Sequence, residues 1–350
     1  MSERVKLRFF TITVLLVVAI VLLFIANIAL GSVKIPFAEV VNILLGNASE
    51  KISWEKIVLT TRLPQAITAC MAGAGLAVGG LQMQTLFRNP LAGPSILGIS
   101  SGASLGVAIV MMFTGTIGGI TLAGIDNTFG NLATITAAFL GSVVILMFVL
   151  FLARQVKNNA MLLIIGIMVG YTSSALVGVL KLYGMHENVH SYVVWGLGDF
   201  SSVTWNQMTY FLPVVMAGLL FSLILVKPLN TLLLGENYAR NLGLNIKRAR
   251  LLIILCAGGL TAVITAFCGP IAFLGLAVPH IARLLFASSD HKVLTVAVIF
   301  TGVFLALACN LIARLPGVDG ALPINAVTSM FGAPVVISII LKRRSLNSFN

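Results

Sequence analysis

Stretches free of Asp, Glu, Lys and Arg dominate the chain: 9–33, 63–87, 89–125, 127–153, 158–180, 200–226, 251–282, 293–313 and 320–341. About 20 apolar residues at 1.5 Å each cross roughly 30 Å of hydrocarbon, so every one of these runs is long enough to cross once. In lipid, backbone N–H and C=O groups find partners only within a helix or a closed barrel. Barrel strands alternate in segments of about ten residues, and these runs do not alternate. The pattern predicts an all-α integral membrane protein with one transmembrane domain over 1–350.

The first run, Phe9 to Val33, follows Arg4, Lys6 and Arg8. A secretory signal has an apolar region of about 7–15 residues. This run is longer and no convincing small-residue cleavage site follows it, so it is expected to be a retained first span with a cytoplasmic N-terminus. Nine spans would leave Lys342, Arg343 and Arg344 outside, against the excess of Lys and Arg found in cytoplasmic loops. A tenth crossing fits in 251–282, which is broken at Gly269-Pro270, where proline removes a helix hydrogen bond. The run 89–125 opens with Asn89-Pro90-Leu91-Ala92-Gly93-Pro94 and reads as a loop, one span and a second loop.

Ten spans with both termini inside keep only Lys34, Lys51, Lys56, Arg62, Lys181 and Arg314 of the 22 basic residues outside. Of the ten acids, only Glu3, Glu236 and Asp290 fall inside. The net charge of +12 is therefore an orientation signal, with cationic loops beside an anionic leaflet, and not a nucleic-acid footprint. Composition agrees: 59% of residues are hydrophobic and 9% charged, against about 25% charged in a soluble domain.

Several chemistries are excluded. No Gly-Lys pair exists, so no Walker A loop can cradle nucleotide phosphates. Cys70, Cys256, Cys268 and Cys309 are far apart with no CxxC spacing, which argues against disulfides and zinc. Gly73-Ala74-Gly75-Leu76-Ala77-Val78 departs from GxGxxG. Gly75 with Gly79, and Gly98, Gly102 and Gly106, have the four-residue spacing that lets helix backbones approach in lipid. No span needs an Asp or Glu, although ion-coupled transporters usually keep ionisable groups in the membrane. If the chain moves a solute, the energy is expected from another subunit.

One inside connection is unusually polar: Leu233-Leu234-Gly235-Glu236-Asn237-Tyr238-Ala239-Arg240-Asn241-Leu242-Gly243-Leu244. An amphipathic helix, a glycine stop and a second short segment fit it. It would either lie on the membrane surface or dock a cytoplasmic motor.

Leu234-Gly235-Glu236 followed by Ala239-Arg240-Asn241-Leu242-Gly243 resembles the coupling loop of permease subunits in ABC importers for iron chelates, haem and cobalamin, the FecCD family. Further segments resemble the same family in the same order. They are Arg62-Leu63-Pro64, Gln82-Met83-Gln84 through Asn89-Pro90-Leu91-Ala92-Gly93-Pro94, Leu97-Gly98-Ile99-Ser100-Ser101-Gly102-Ala103 and Trp195-Gly196-Leu197-Gly198. Gly269-Pro270-Ile271-Ala272-Phe273-Leu274-Gly275-Leu276-Ala277-Val278-Pro279-His280-Ile281-Ala282-Arg283 follows, then Leu322-Pro323-Ile324 and Gly332-Ala333-Pro334.

The resemblance implies a homodimeric type II ABC importer permease, ten spans per subunit, multi-pass in a bacterial inner membrane. It also implies two cytoplasmic ATPase subunits and a periplasmic or lipid-anchored substrate-binding protein. The permease itself would bind no cofactor and no metal and would have no catalytic residue; ATP and Mg would be handled by the ATPase. The expected cargo is a ferric siderophore, chosen on its frequency in the family, with haem and cobalamin open. An integral-membrane enzyme would need a His, Asp or Glu cluster that is not evident. A channel or secondary transporter would work without an ATPase.

By the same resemblance, Arg62 and Arg314 dock glutamates of the binding protein, for which the planar guanidinium fork is suited. Their ordinary role would be snorkelling anchors, and Gln65 stands where the family often has another basic residue. Asn158 and Asn159 are implied in the cytoplasmic gate, although Asn also favours plain turns. Gly235, Glu236, Ala239, Arg240, Leu242 and Gly243 belong to the coupling helices, approximately 228–250. Gly243 would permit the turn between them; the ordinary role of Glu236 and Arg240, four apart, would be a pair on the helix itself. His280 beside Pro279 reads as a structural hydrogen-bonder, since a metal site needs partners. The breaks at Gly93-Pro94 and Gly269-Pro270 faintly echo each other, as an inverted repeat would.

Overall fold

The computed structural model describes residues 3–31, 33–47, 49–113, 127–156, 159–314 and 321–347. The described residues form fifteen α-helices and no β-strand. The helices are α1 (Glu3–Ala29), α2 (Phe37–Leu44), α3 (Ile52–Lys56), α4 (Leu63–Leu86), α5 (Ile99–Phe113), α6 (Asn127–Gln155), α7 (Asn159–Tyr183) and α8 (His186–Gly196). They continue as α9 (Trp205–Ile224), α10 (Val226–Leu233), α11 (Glu236–Asn241), α12 (Ile246–Cys268), α13 (Leu274–Phe286), α14 (His291–Ala313) and α15 (Ile324–Asn347). A π-helical turn, Ile57–Arg62, joins α3 to α4.

Seven helical stretches are long and apolar enough to cross a membrane: Phe9–Ala29, Ile52–Leu86, Asn131–Gln155, Asn159–Tyr183, Trp205–Ile224, Ile246–Cys268 and His291–Ala313. Three shorter apolar helices, Ile99–Met112, Leu274–Phe286 and Ile324–Ser338, accompany them. The expected break is present, since α12 stops at Cys268 and α13 starts at Leu274. The loop expected at Asn89–Gly93 leads through a 3-10 turn, Pro94–Leu97, into α5. The second loop expected in that run falls on 114–126, outside the described residues.

Helix ends sort into two groups by contact. At one end of the bundle Arg62 meets the last carbonyls of α1. There too, Trp205 Nε1 donates to Leu59 O, Asp199 N to Cys268 O and Asn325 Nδ2 to Pro270 O. At the other end Thr85 Oγ1 meets His291 Nε2, Arg88 donates to Leu233 O, and Asn159 donates to Leu86 O. These contacts bring Arg62, Cys268 and Asn325 to one end of the bundle and Leu86, Asn159 and His291 to the other.

The buried centre is α4, flanked by α12, α13 and α14, while α1 presents an apolar outer surface at Phe10, Leu15 and Leu22. Lipid is as apolar as leucine, so helices gain little by hydrophobic burial and associate through close van der Waals contact. A Cβ on Gly73 would lie 2.3 Å from Gly302 O, and one on Gly80 only 1.6 Å from Gly275 O. The spacing at Gly102 and Gly106 does bring backbones together, on Gly141 and Ala137 of α6. Gly98 instead ends the 3-10 turn with φ +78°, and Gly75 and Gly79 face side chains and Ala257 rather than a matching glycine. The two proline breaks meet in the middle, where a Cβ on Gly275 would lie 2.5 Å from Pro94 Cδ.

Gly80→Ala should therefore destabilise the protein by about 1–3 kcal/mol, the usual range for overpacking. Gly259→Ala, whose new methyl would meet nothing within 4 Å, should be neutral or slightly stabilising, since Ala is the better helix former. Thermal unfolding in detergent checks both. Equal melting temperatures for the two variants would contradict the packing argument.

Candidate functional site

The polar connection after α9 is built from its glycines. α10 buries Val226, Leu229 and Leu232 and leaves Leu233 and Leu234 exposed. Gly235, at φ +109° and ψ 150°, turns the chain into α11. This conformation is open essentially to glycine alone. α11 buries Ala239 completely and exposes Tyr238, Arg240 and Leu242. It stops at Gly243, φ +84°, with Gly243 N donating to Arg240 O and Leu244 N to Ala239 O, both at 3.0 Å. Those two bonds form a Schellman ending, which favours glycine at the left-handed position. Asn245 then caps α12 by accepting from Arg248 N at 3.1 Å.

The pair expected between Glu236 and Arg240 does not form. Glu236 Oε1 accepts instead from Arg250 Nη2 at 3.3 Å and from Asn159 Nδ2 at 2.6 Å. Asn159 Nδ2 also donates to Leu86 O at 2.9 Å, and Arg250 Nη1 to Val156 O at 2.8 Å. One carboxylate thus draws together α11, α12, the end of α4 and the α6–α7 connection. Tertiary geometry outweighs the i,i+4 pairing here, because an exposed helical pair is worth only about 0.3–0.5 kcal/mol. A hydrogen bond to a charged group is worth about 1.5–3 kcal/mol. Asn158 lies outside the described residues.

Arg250 was not a sequence candidate, yet a signal was available. Ile246, Ala249, Arg250 and Ile253 share the spacing of one buried helix stripe, so this arginine stands where an apolar residue is expected. Arg250 is 4% exposed, whereas Lys247 and Arg248 beside it face out.

At the opposite end, Arg62 is 1% exposed. Its Nη1 donates to Ile28 O at 2.9 Å and Ala29 O at 2.7 Å, and its Nη2 donates to Val33 O. Ile28 O and Ala29 O are carbonyls that the C-terminus of α1 leaves without intrahelical partners, Val33 O lies in the chain just beyond it, and a cation is favoured at the negative end of the helix dipole. Gly31 makes room, since a Cβ there would lie 3.0 Å from Arg62 Nη2. As placed, Arg62 does not offer its fork to a partner protein. Arg314, C-capping α14, is partly exposed. Burial lowers its pKa from the ordinary guanidinium value, with the Asp199 carboxylate acting the other way. Gln65 is also inside, donating to Asn310 Oδ1 at 3.0 Å, and Asn310 donates to Asn27 Oδ1 at 2.8 Å.

His280 Nε2 lies 2.8 Å from Pro90 O, and Arg283 Nη1 donates to Gln84 Oε1 at 2.7 Å, fastening α13 to the end of α4 and its following loop. Those contacts are of the structural kind expected for His280.

A model of the FecCD transport family matches residues 17–342. The chain is 35% identical over 284 residues to the vitamin B12 import system permease of Klebsiella pneumoniae, covering 81% of this chain and 82% of that one. It is 31% identical over 336 residues to the hemin transport system permease of Yersinia pestis, covering 95% and 97%. A solved metal-chelate type ABC transporter in an inward-facing conformation superposes with a TM-score of 0.79 at 28% identity, over 95% of this chain and 98% of that chain.

Arg62→Glu should sharply lower the yield of folded protein. It would replace a buried cation held by three carbonyls with an anion facing them, at a cost of about 3–5 kcal/mol. Arg314→Glu should leave folding intact. Detergent-extracted yield and melting temperature separate the two, and a well-folded Arg62→Glu protein would show that the α1 cap is dispensable.

Proposed function

Because the chain belongs to the FecCD transport family, we propose that it is the permease subunit of an ATP-driven importer for a metal chelate, most simply a ferric siderophore. Ten spans with cytoplasmic termini accommodate the seven long and three shorter apolar helices. A second copy of the chain completes the path, two ATPase chains dock below, and a substrate-binding protein delivers the cargo from outside. The membrane is the bacterial inner membrane. Haem and cobalamin are the alternative cargoes, in line with the names of the two relatives.

The observation that carries this reading is the exposed helix α11, set between Gly235 and Gly243 and tied through Glu236 to the inner end of the bundle. Tyr238, Arg240 and Leu242 form the face for the ATPase, a mix of apolar and cationic groups. Gly235, Glu236, Ala239 and Gly243 fix how that face sits. Asn159, with Asn158 before it, forms the cytoplasmic gate. The Glu236–Asn159 bond lets movement of α11 reach the gate without an intermediate. Of the two outer arginines, Arg314 takes the docking role, with Arg62 supporting the surface from below through α1.

ATPase chains co-expressed with the permease provide the test. The complex should hydrolyse ATP, while the permease alone should not. Gly243→Val, forced into a left-handed conformation, and Arg250→Met, which removes one anchor of Glu236, should leave hydrolysis within about twofold. Both should lower chelate taken up per ATP at least tenfold, which is about 1.4 kcal/mol of coupling. An unchanged ratio in both variants would remove α11 from the coupling path. Failure of any ATPase to associate, with solute moved by the chain alone, would overturn the importer reading.

A further inference from the structure

Hydroxyl groups on membrane helices are usually spent locally, donating to the carbonyl four residues earlier. This chain follows the habit at Thr68, Thr85, Thr261 and Thr301, each bonded to its i−4 carbonyl. Ser101 on α5 and Ser174 on α7 are exceptions, with no hydrogen bond among the described residues. Both line one cavity of about 360 Å³, together with Ser100 and Ser104 of α5, Lys181 of α7 and Tyr192 of α8. The cavity has no carboxylate in its lining.

Lys181 is the unusual member. Its ammonium sits 4.6 Å from the centroid of the Tyr192 ring, and it has no ion pair among the described residues. Tyr192 and Ser104 both line the cavity. An ionisable group near a span is costly and marks a functional site unless it merely snorkels to the interface. A snorkelling lysine would extend to water away from other polar groups. Here it converges with hydroxyls on one cavity, which the exposed apolar residues Met168, Tyr171 and Leu182 of α7 do not line.

We propose that this cavity is a subsite for the anionic, oxygen-rich edge of the cargo, such as a catecholate or carboxylate arm, with Lys181 supplying the charge and the serines the remaining donors. The volume falls in the range of ligand sites, but it holds one arm of a chelate and not the whole. Charge-assisted bonds to oxygen anions are shorter and about twice as strong as neutral ones. A neutral chelate would gain only the hydroxyl contacts. The subsite thus deepens the importer reading, on which it rests, by choosing acidic chelates over neutral ones.

The test uses the assembled permease–ATPase complex with its binding protein in proteoliposomes, and four probes: a ferric triscatecholate, haemin, a neutral ferric trihydroxamate and cyanocobalamin. ATP-dependent uptake and nucleotide-free binding are measured for each. Lys181→Met should raise the KM and the Kd for the triscatecholate or haemin at least tenfold, and Lys181→Arg should restore them. The neutral probes should shift less than twofold. Ser174→Ala should weaken the acidic probes two- to fivefold without altering folding. The proposal is overturned if Lys181→Met behaves as wild type, if all four probes weaken equally, or if only neutral probes bind or none does. Absence of ATP-dependent uptake for every probe would instead sink the importer reading, and binding with and without Lys181 would still decide the subsite.

Discussion

The structure depends on backbone-to-backbone contact along α4. Gly73 against Gly302 and Gly80 against Gly275 bring α14 and α13 to a separation that no side chain would allow. In water, such a core could be approximated by any well-sized apolar filling. In lipid the apolar solvent competes equally well for apolar side chains, so close approach and polar contact supply the specificity. Once α4 is fixed, its two ends are fixed as well. Arg62 sits at one end and Leu86 at the other, and each is a node to which distant parts of the chain attach.

The two nodes handle charge differently. Arg62 has no carboxylate within ion-pair distance among the described residues, and its two Nη groups donate to carbonyls while Nε finds no partner. That arrangement suits a permanent joint, because breaking it would expose both a buried cation and the end of α1. Arg250 has an ionic partner in Glu236, whose side chain keeps 31% of its surface exposed against 5% for Arg250. A partly wetted pair loses less on separation than a dry one. The node at the α11 end is therefore the easier of the two to separate.

Much of this was legible in the sequence because membrane helices announce themselves by what they lack. Runs without charge located the long helices, and Gly269-Pro270 located the α12–α13 break. Gly243 was legible too, as its left-handed turn is a local property. The partners of polar residues were not legible. Glu236 and Arg240 satisfy the helical pairing rule, but Arg250 and Asn159, far along the chain, supply the contacts. Arg62 reads as a surface residue because it opens the apolar run 63–87, and only the fold brings Gly31 and the end of α1 over it. Spacing rules read one helix at a time and cannot see a carbonyl on another. The glycine rule held at Gly102 and Gly106 but not at Gly75 and Gly79, which have the right spacing while Gly73 and Gly80 have the facing backbones.

A transport path also limits how strongly any of its groups can hold a cargo. Passage requires binding favourable enough for entry and weak enough for exit. A lysine already engaged with the Tyr192 ring, beside serines that offer single weak bonds, meets that condition better than a guanidinium clamp or a metal-ligand cluster would. The same reasoning explains why the strong cations of this fold, Arg62 and Arg250, are turned onto the protein's own carbonyls and carboxylate. Spent internally, they tie the two ends of the bundle to neighbouring backbone and side chains.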